Sequence, residues 1–352
     1  MQISIHGNII NEQRWFPILD IIVELMLLPE SRIILEISSL SRLRQSAWIT
    51  NSPPSRATTW GILTGMVKFQ SKGTTSDATT LIFDANGPYQ GEEQSDGSIR
   101  INPIAGLATI MQPFKLIVED QQTDGGFILW MARFLGRDEI IKAYRAGRFV
   151  FHHAGGKGQI VKSAEAISAG VWARPGQPIS LAKHRSAAVL DSDADHEGHA
   201  PNANIATAAE SHVAFVHVLR GRTIENYIPE SYFRKRLAAD GLSSFSDAFF
   251  RMLHDQQLFF PIKTGFRAKV KNGPRPTHSE FVSDPERPRL LRDLYGSVAP
   301  VDWGALVGGL GERLATVYTE TRYRCEPSDA PRLPQDVSRE INTLLTNILR
   351  HL

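Results

Sequence analysis

Two knots of carboxylates stand out in the 352-residue sequence: Glu119-Asp120 with Asp124, and Asp191-Ser192-Asp193-Ala194-Asp195. Each follows a short apolar run, Phe114-Lys115-Leu116-Ile117-Val118 and Ala187-Ala188-Val189-Leu190. A parallel α/β sheet gathers the residues at the carboxyl ends of its strands into one crevice, so the two knots are expected to converge. Crowded carboxylates repel one another unless a divalent cation neutralises them. Oxygen donors suit Mg²⁺ or Mn²⁺, and those ions suit phosphate esters. The competing explanation, that each acid caps a helix or occupies a solvated turn, is weakest at Asp191, directly behind Ala-Ala-Val-Leu.

Other motif readings fail on the same residues. Gly155-Gly156-Lys157-Gly158 is not a Walker A loop, because Gly158 stands where Ser or Thr is needed and Phe151 where the first glycine belongs. The chain therefore supplies no ATPase of its own. Asp191, Asp193 and Asp195 open like an EF-hand loop, but His196 replaces the turn glycine and Asn202 the bidentate glutamate. An apolar strand with D-x-D also begins haloacid-dehalogenase phosphatases, which want Thr or Val where Asp195 stands. Among His152, His153, His184, His196 and His199, only His196 and His199 have ligand spacing, and no third ligand is evident from the sequence. Arg267, Lys269 and Lys271 alternate, so a strand would place them on one face, as a phosphate-contacting stripe or as a charged edge.

The elements that must position these residues are legible from Phe114 onward, where short apolar runs alternate with amphipathic stretches of helix length. The expected order is strand 114–118, helix 124–135, strand 148–151, helix 159–169, strand 187–190, helix 201–211 and strand 214–219. Strands apolar throughout are buried on both faces. Residues 1–112 mix strand-like runs (Ile33–Ile37, Thr80–Phe83) with loops at Asn51–Ser55 and Asn86–Gly97, and read as an N-terminal α+β region without nameable chemistry. Residues 113–230 read as the catalytic domain and 231–352 as a mostly helical region. Its helices are expected at 230–242, 246–254, 301–320 and 336–352, with an extended connector over 272–289.

A chain of this length suits two or three domains. Its 42% apolar and 22% charged residues are those of a folded globular protein, and a net charge of +2 is too mild to announce a nucleic-acid binder. The single cysteine, Cys325, excludes an intramolecular disulfide and a thiolate-rich zinc site. The most apolar stretch, Ile18–Leu28, is interrupted by Asp20 and Glu24 and falls short of the roughly 20 apolar residues that span a bilayer. With no signal-peptide pattern at Met1, a cytoplasmic home is expected.

Four segments in order resemble the topoisomerase–primase (Toprim) domain, and in particular the OLD-family nucleases and related antiphage effectors. Leu116-Ile117-Val118-Glu119 followed by Asp124 is similar to the leading VEG-x-x-D signature, with Asp120 in place of the glycine and the second acid one residue late. Ala154–Gly158 resembles the glycine turn, Asp191-Ser192-Asp193 the D-x-D, and Thr223–Ile228 an IENY segment after the fourth strand. The resemblance covers about a third of the chain and implies a Toprim-like parallel sheet flanked by helices. It implies Glu119 as metal ligand or general acid/base, Asp191 and Asp193 as holders of Mg²⁺ or Mn²⁺, and Glu225 and Asp124 as further ligands. By the same resemblance Lys263 stabilises transition-state charge. The implied activity is phosphodiester hydrolysis of DNA or RNA, in antiphage defence, with a separate ATPase partner. The alternatives are a small-molecule phosphatase and a non-catalytic Toprim subunit that binds nucleic acid or a partner.

Overall fold

The computed structural model describes residues 2–6, 9–27, 34–36, 43–51, 80–169, 181–266, 274–325 and 333–352. The Arg267, Lys269 and Lys271 stripe lies outside them, as do positions 33 and 37 of the Ile33–Ile37 run and positions 52–55 of the Asn51–Ser55 loop.

The N-terminal sheet comprises β1 (Gln2–Ile5), β2 (Ile34–Glu36), β3 (Thr80–Phe83), β4 (Glu92–Glu93) and β5 (Ile99–Ile101), in the order β2-β1-β3-β5-β4. The expected α+β character is corrected here. Every pairing is parallel except β4 with β5, where the polar loop turns back as a hairpin. Ile3, Ile5, Leu81, Phe83, Ile99 and Ile101 alternate inward against helices Phe16–Met26 and Pro103–Met111.

The second sheet holds β6 (Phe114–Val118), β7 (Phe149–His153), β8 (Ser186–Leu190) and β9 (Val216–Val218), in the order β7-β6-β8-β9, parallel throughout. Phe114, Leu116 and Val118 of β6, with Ala187 and Val189 of β8, face a core shared with helix Thr123–Phe134. Ile117, Ala188 and Leu190 face the opposite layer, made by Ile160 and Ala164 of helix Lys157–Ala169 and Ala209 of helix Ala203–Glu210. Both faces are covered, which is why β6 and β8 read as largely apolar runs, Lys115 and Ser186 excepted. A helix the sequence reading passed over, Asp138–Arg145, leads into β7 and buries Ile140 and Ala143.

Three further expectations change. One face of the sheet shares its core with residues 231–352, in a cluster that runs from Phe114 through Phe233, Phe260 and Trp303 to Leu352, while the other face has a core of its own around Ile117, Ile160 and Leu190. The 301–320 helix is instead Pro300–Leu306 followed by three-residue and four-residue 3₁₀ turns. The break falls at Gly309 and Gly311, whose φ values of +67° and +64° no continuing helix admits. A Cβ on Gly309 would also collide with the Gly265 backbone, so two chain segments touch there backbone to backbone. The 272–289 connector contains helix His278–Ser283, started by a capping box in which Thr277 Oγ1 accepts from Glu280 N–H at 3.3 Å and Glu280 Oε2 from Thr277 N–H at 2.7 Å. Among the described residues no helix is long and apolar enough to cross a membrane.

Candidate functional site

Glu119 follows β6 and Asp191 follows β8, and these strands are hydrogen-bonded neighbours, so both acids stand at the carboxyl edge of the sheet. The turn after β6 explains Asp120. Its Oδ1 accepts from Gln122 N–H at 2.9 Å and Thr123 N–H at 2.7 Å, satisfying the opening donors of helix Thr123–Phe134. Asp124 reaches back, its Oδ2 accepting from Asp120 N–H at 2.9 Å. Burial first, then the Glu119 and Asp120 charges, push the Asp124 carboxyl up to about 6.

Asp191 is the centre of the acidic group. Ile224 N–H donates to its Oδ1 at 3.2 Å. Burial, followed by the charges of Asp124 and Glu225, raises its carboxyl well above the carboxylate range, against the opposing pull of Lys157 and Lys263. Glu225 is 1% exposed. Its Oε1 lies 3.2 Å from Lys263 Nζ, yet neither oxygen receives a well-formed hydrogen bond from the described residues. Lys263 also meets Glu312 Oε2 at 3.0 Å. Burial disfavours its ammonium, but Glu225 and Glu312 outweigh that and hold it above the usual lysine range.

The Thr223–Ile228 segment is clamped from three sides. Asn226 Nδ2 donates to Gln257 O at 2.7 Å and Phe260 O at 3.0 Å, and Tyr318 Oη donates to Ile224 O at 2.7 Å. Tyr227 is buried beside Phe127, accepts from Gly221 N–H at 2.7 Å and donates to Glu340 Oε2 at 2.9 Å. Lys263 is placed by its backbone: its carbonyl accepts from Gly311 N–H at 2.8 Å, beside the Gly265–Gly309 contact.

Asp193 belongs to a different pairing. Lys157, at the start of its helix and behind Gly155 and Gly156 (φ +80° and +113°), forms an ion pair with Asp193 Oδ2. Asn202 Nδ2 donates to the same oxygen at 3.1 Å and to the carbonyl of Asp191 at 2.7 Å. Burial would raise the Asp193 carboxyl, but Lys157 and Asn202 hold it below the ordinary range. Asp193 adopts φ +53°, the one positive φ of a non-glycine among the described residues, a backbone strain of the kind that collects at functional sites.

The acids thus gather at one edge but divide. Asp124, Asp191 and Glu225 are coupled with Lys263, whereas Asp193 is engaged by Lys157. Among the described residues no three of Glu119, Asp124, Asp191, Asp193 and Glu225 bring oxygens within 4.8 Å of one another. Two lysines neutralise acids at this edge, Lys157 pairing with Asp193 and Lys263 with Glu225. Lys157 and Asn202 escaped the sequence reading; a lysine directly behind paired glycines at a helix start was the available signal for the first, and nothing local marked the second. The donor set still fits a hard cation: it is all oxygen, and the buried Glu225 carboxylate lacks hydrogen-bond donors. Comparison with protein-family models, curated proteins and solved structures finds no match to this chain.

Proposed function

We propose that the crevice at the carboxyl edge of the parallel sheet is the active site of a Toprim-like, divalent-metal-dependent nuclease acting on DNA or RNA. The observation that carries this reading is the buried Glu225 carboxylate, without hydrogen bonds, whose charge bears with that of Asp124 on Asp191 and which Lys263 flanks. Four segments distant in sequence supply these groups. A buried carboxylate is costly and Lys263 offsets only one of the neighbouring negative charges, so the gathering of acids is best explained by a cation. Asp191, Glu225 and Asp124, with Glu119 and Asp193 at the rim, would hold Mg²⁺ or Mn²⁺, which supplies Lewis acidity at a phosphate. Lys263 and Lys157 place two positive charges where phosphate oxygens would lie. Asp124, titrating near neutrality, is suited to accept or return a proton. A nucleic-acid substrate, a separate ATPase partner, a role in antiphage defence and a cytoplasmic home belong to the same proposal.

The test is cleavage of plasmid, single-stranded DNA and transfer RNA with Mg²⁺ or Mn²⁺, against a chelator control. Glu119→Gln, Asp191→Ala and Asp193→Ala should each abolish cleavage while circular dichroism stays native. Full activity in a folded Asp191→Ala variant would remove the site. Turnover of a generic phosphate ester with indifference to nucleic acid would point to a phosphatase instead.

A further inference from the structure

Beyond the oxygen-lined crevice, the loop after β8 brings together a donor set of another kind. Asp195, His196 and His199 each offer one ligand atom, and these atoms all lie within 4.8 Å of one another; among the described residues no other group of His, Cys, Asp and Glu does so. The turn that achieves this is closed by His199 N–H donating to the His196 carbonyl at 3.2 Å, with Gly198 at φ +82°. That geometry lays the two imidazoles side by side, centroids 5.3 Å apart and planes 25° from parallel. Asn202 fixes the loop's base by donating to the carbonyls of Asp191 and Ser192 at 2.7 and 3.2 Å.

The hydrogen bonds fix the His196 ring, while His199 Nδ1 accepts from Asp195 N–H at 3.4 Å. His196 Nδ1 lies 2.9 Å from the Glu197 carbonyl. A carbonyl only accepts, so Nδ1 carries the hydrogen and, in the neutral ring, Nε2 is left as a bare lone pair. That nitrogen faces Asp195 Oδ1 at 3.6 Å, and His199 Nδ1 faces the same oxygen at 2.6 Å. Asp195 Oδ1 accepts no well-formed hydrogen bond from the described residues, although it is shielded from solvent. An imidazole oriented by a backbone carbonyl on its far nitrogen is the usual arrangement of a metal-bound histidine.

A simple i,i+4 ion pair between Asp195 and His199 would be worth at most about 1 kcal/mol on this half-exposed loop, and would leave His196 unexplained. We propose that Asp195, His196 and His199 bind a divalent transition ion of the zinc class. Two imidazoles and one carboxylate select Zn²⁺, Co²⁺ or Ni²⁺ over Mg²⁺, whereas the neighbouring oxygen-only crevice has the opposite preference. His196 and His199 line a cavity of about 520 Å³ together with Glu197, Asn202 and Arg220, and Asp195 lines a second cavity. Three protein ligands, two of them lining an open cavity, describe a site with an exchangeable position, not a closed structural one. The site does not depend on the nuclease reading.

The experiment titrates Zn²⁺ alone into the chelator-stripped full chain by calorimetry, in excess Mg²⁺ so that oxygen sites are saturated. One Zn²⁺ per chain is expected. His196→Ala/His199→Ala should weaken binding by more than the roughly 10–100-fold that follows loss of an outer partner, and Asp191→Ala should keep it. Co²⁺ on the wild-type chain should develop the visible d–d absorption of a low-coordinate nitrogen-containing site, a readout that survives even if the double variant fails to fold. Equal Zn²⁺ binding by wild type and a folded double variant would overturn the assignment. So would the absence of both Zn²⁺ binding and Co²⁺ absorption in the wild type, which would leave only an ion pair.

Discussion

At the scale of single residues, the site is a set of buried charges held at a cost that two lysines offset in part. Asp124 illustrates it. An unfolded aspartate titrates near 3.9, and the folded carboxyl near 6. Between those values the folded chain keeps a proton the unfolded chain has lost, so stability falls as pH rises from about 4 to 6. The full effect is about 3 kcal/mol at most, at 1.36 kcal/mol per pH unit. Asp124→Asn should therefore stabilise the metal-free protein at neutral pH and flatten that slope, as read from thermal melts across pH in chelator; an unchanged slope would contradict the burial assigned to Asp124. Lys263→Met has the opposite sign. It leaves the fully buried Glu225 without its ion-pair partner, a loss of about 3 kcal/mol for a buried pair. Added Mg²⁺ should restore part of it, and a variant as stable as wild type in chelator would show that Lys263 does not neutralise Glu225.

At the scale of elements, the sheet positions the acids and the turns position the lysines. Gly309→Ala is the sharpest probe of a turn. It places a Cβ at φ +67° against the Gly265 backbone, next to the carbonyl of Lys263 that accepts from Gly311 N–H. The φ strain alone costs about 1–2 kcal/mol, and cleavage should fall beyond what stability explains because Lys263 moves from Glu225. Retained activity with normal melting would mean the turn tolerates displacement. The elements also show what was readable. β6 and β8 were legible because burial on both faces leaves few polar positions in the run, Lys115 and Ser186 alone, and Glu119 and Asp191 because an acid directly behind such a run has few structural uses. Helix Asp138–Arg145 and the break at Gly309 were missed: the first is one short amphipathic segment among many, and the second is decided by Gly265, 44 residues earlier. Lys157 with Asp193, and Asp195 with its two histidines, depend on loop conformations that spacing alone does not specify.

At the scale of the molecule, the parallel sheet does not stand by itself. Helix Gln335–His351 buries Ile341, Leu344, Leu345 and Ile348 in the same core as Phe114 and Leu116. Its Glu340 accepts from Tyr227 Oη and, at 2.7 Å, from Arg220 N–H, directly behind the crevice. A fragment of residues 113–230 should therefore lack a fixed fold, and 113–352 should keep one. Near-ultraviolet circular dichroism on the two fragments distinguishes them, and a native spectrum from the shorter one would show that the sheet folds without the shared core. The dependence has a consequence for biosynthesis. More than a hundred residues separate the end of β9 from Glu340, and at about 5–20 residues per second the ribosome needs several seconds to add them. Throughout that interval the nascent sheet carries its acidic edge without the helix that braces Tyr227. On the proposed function, activity is therefore expected only after the bracing helix has left the exit tunnel, and a half-made chain should lack it.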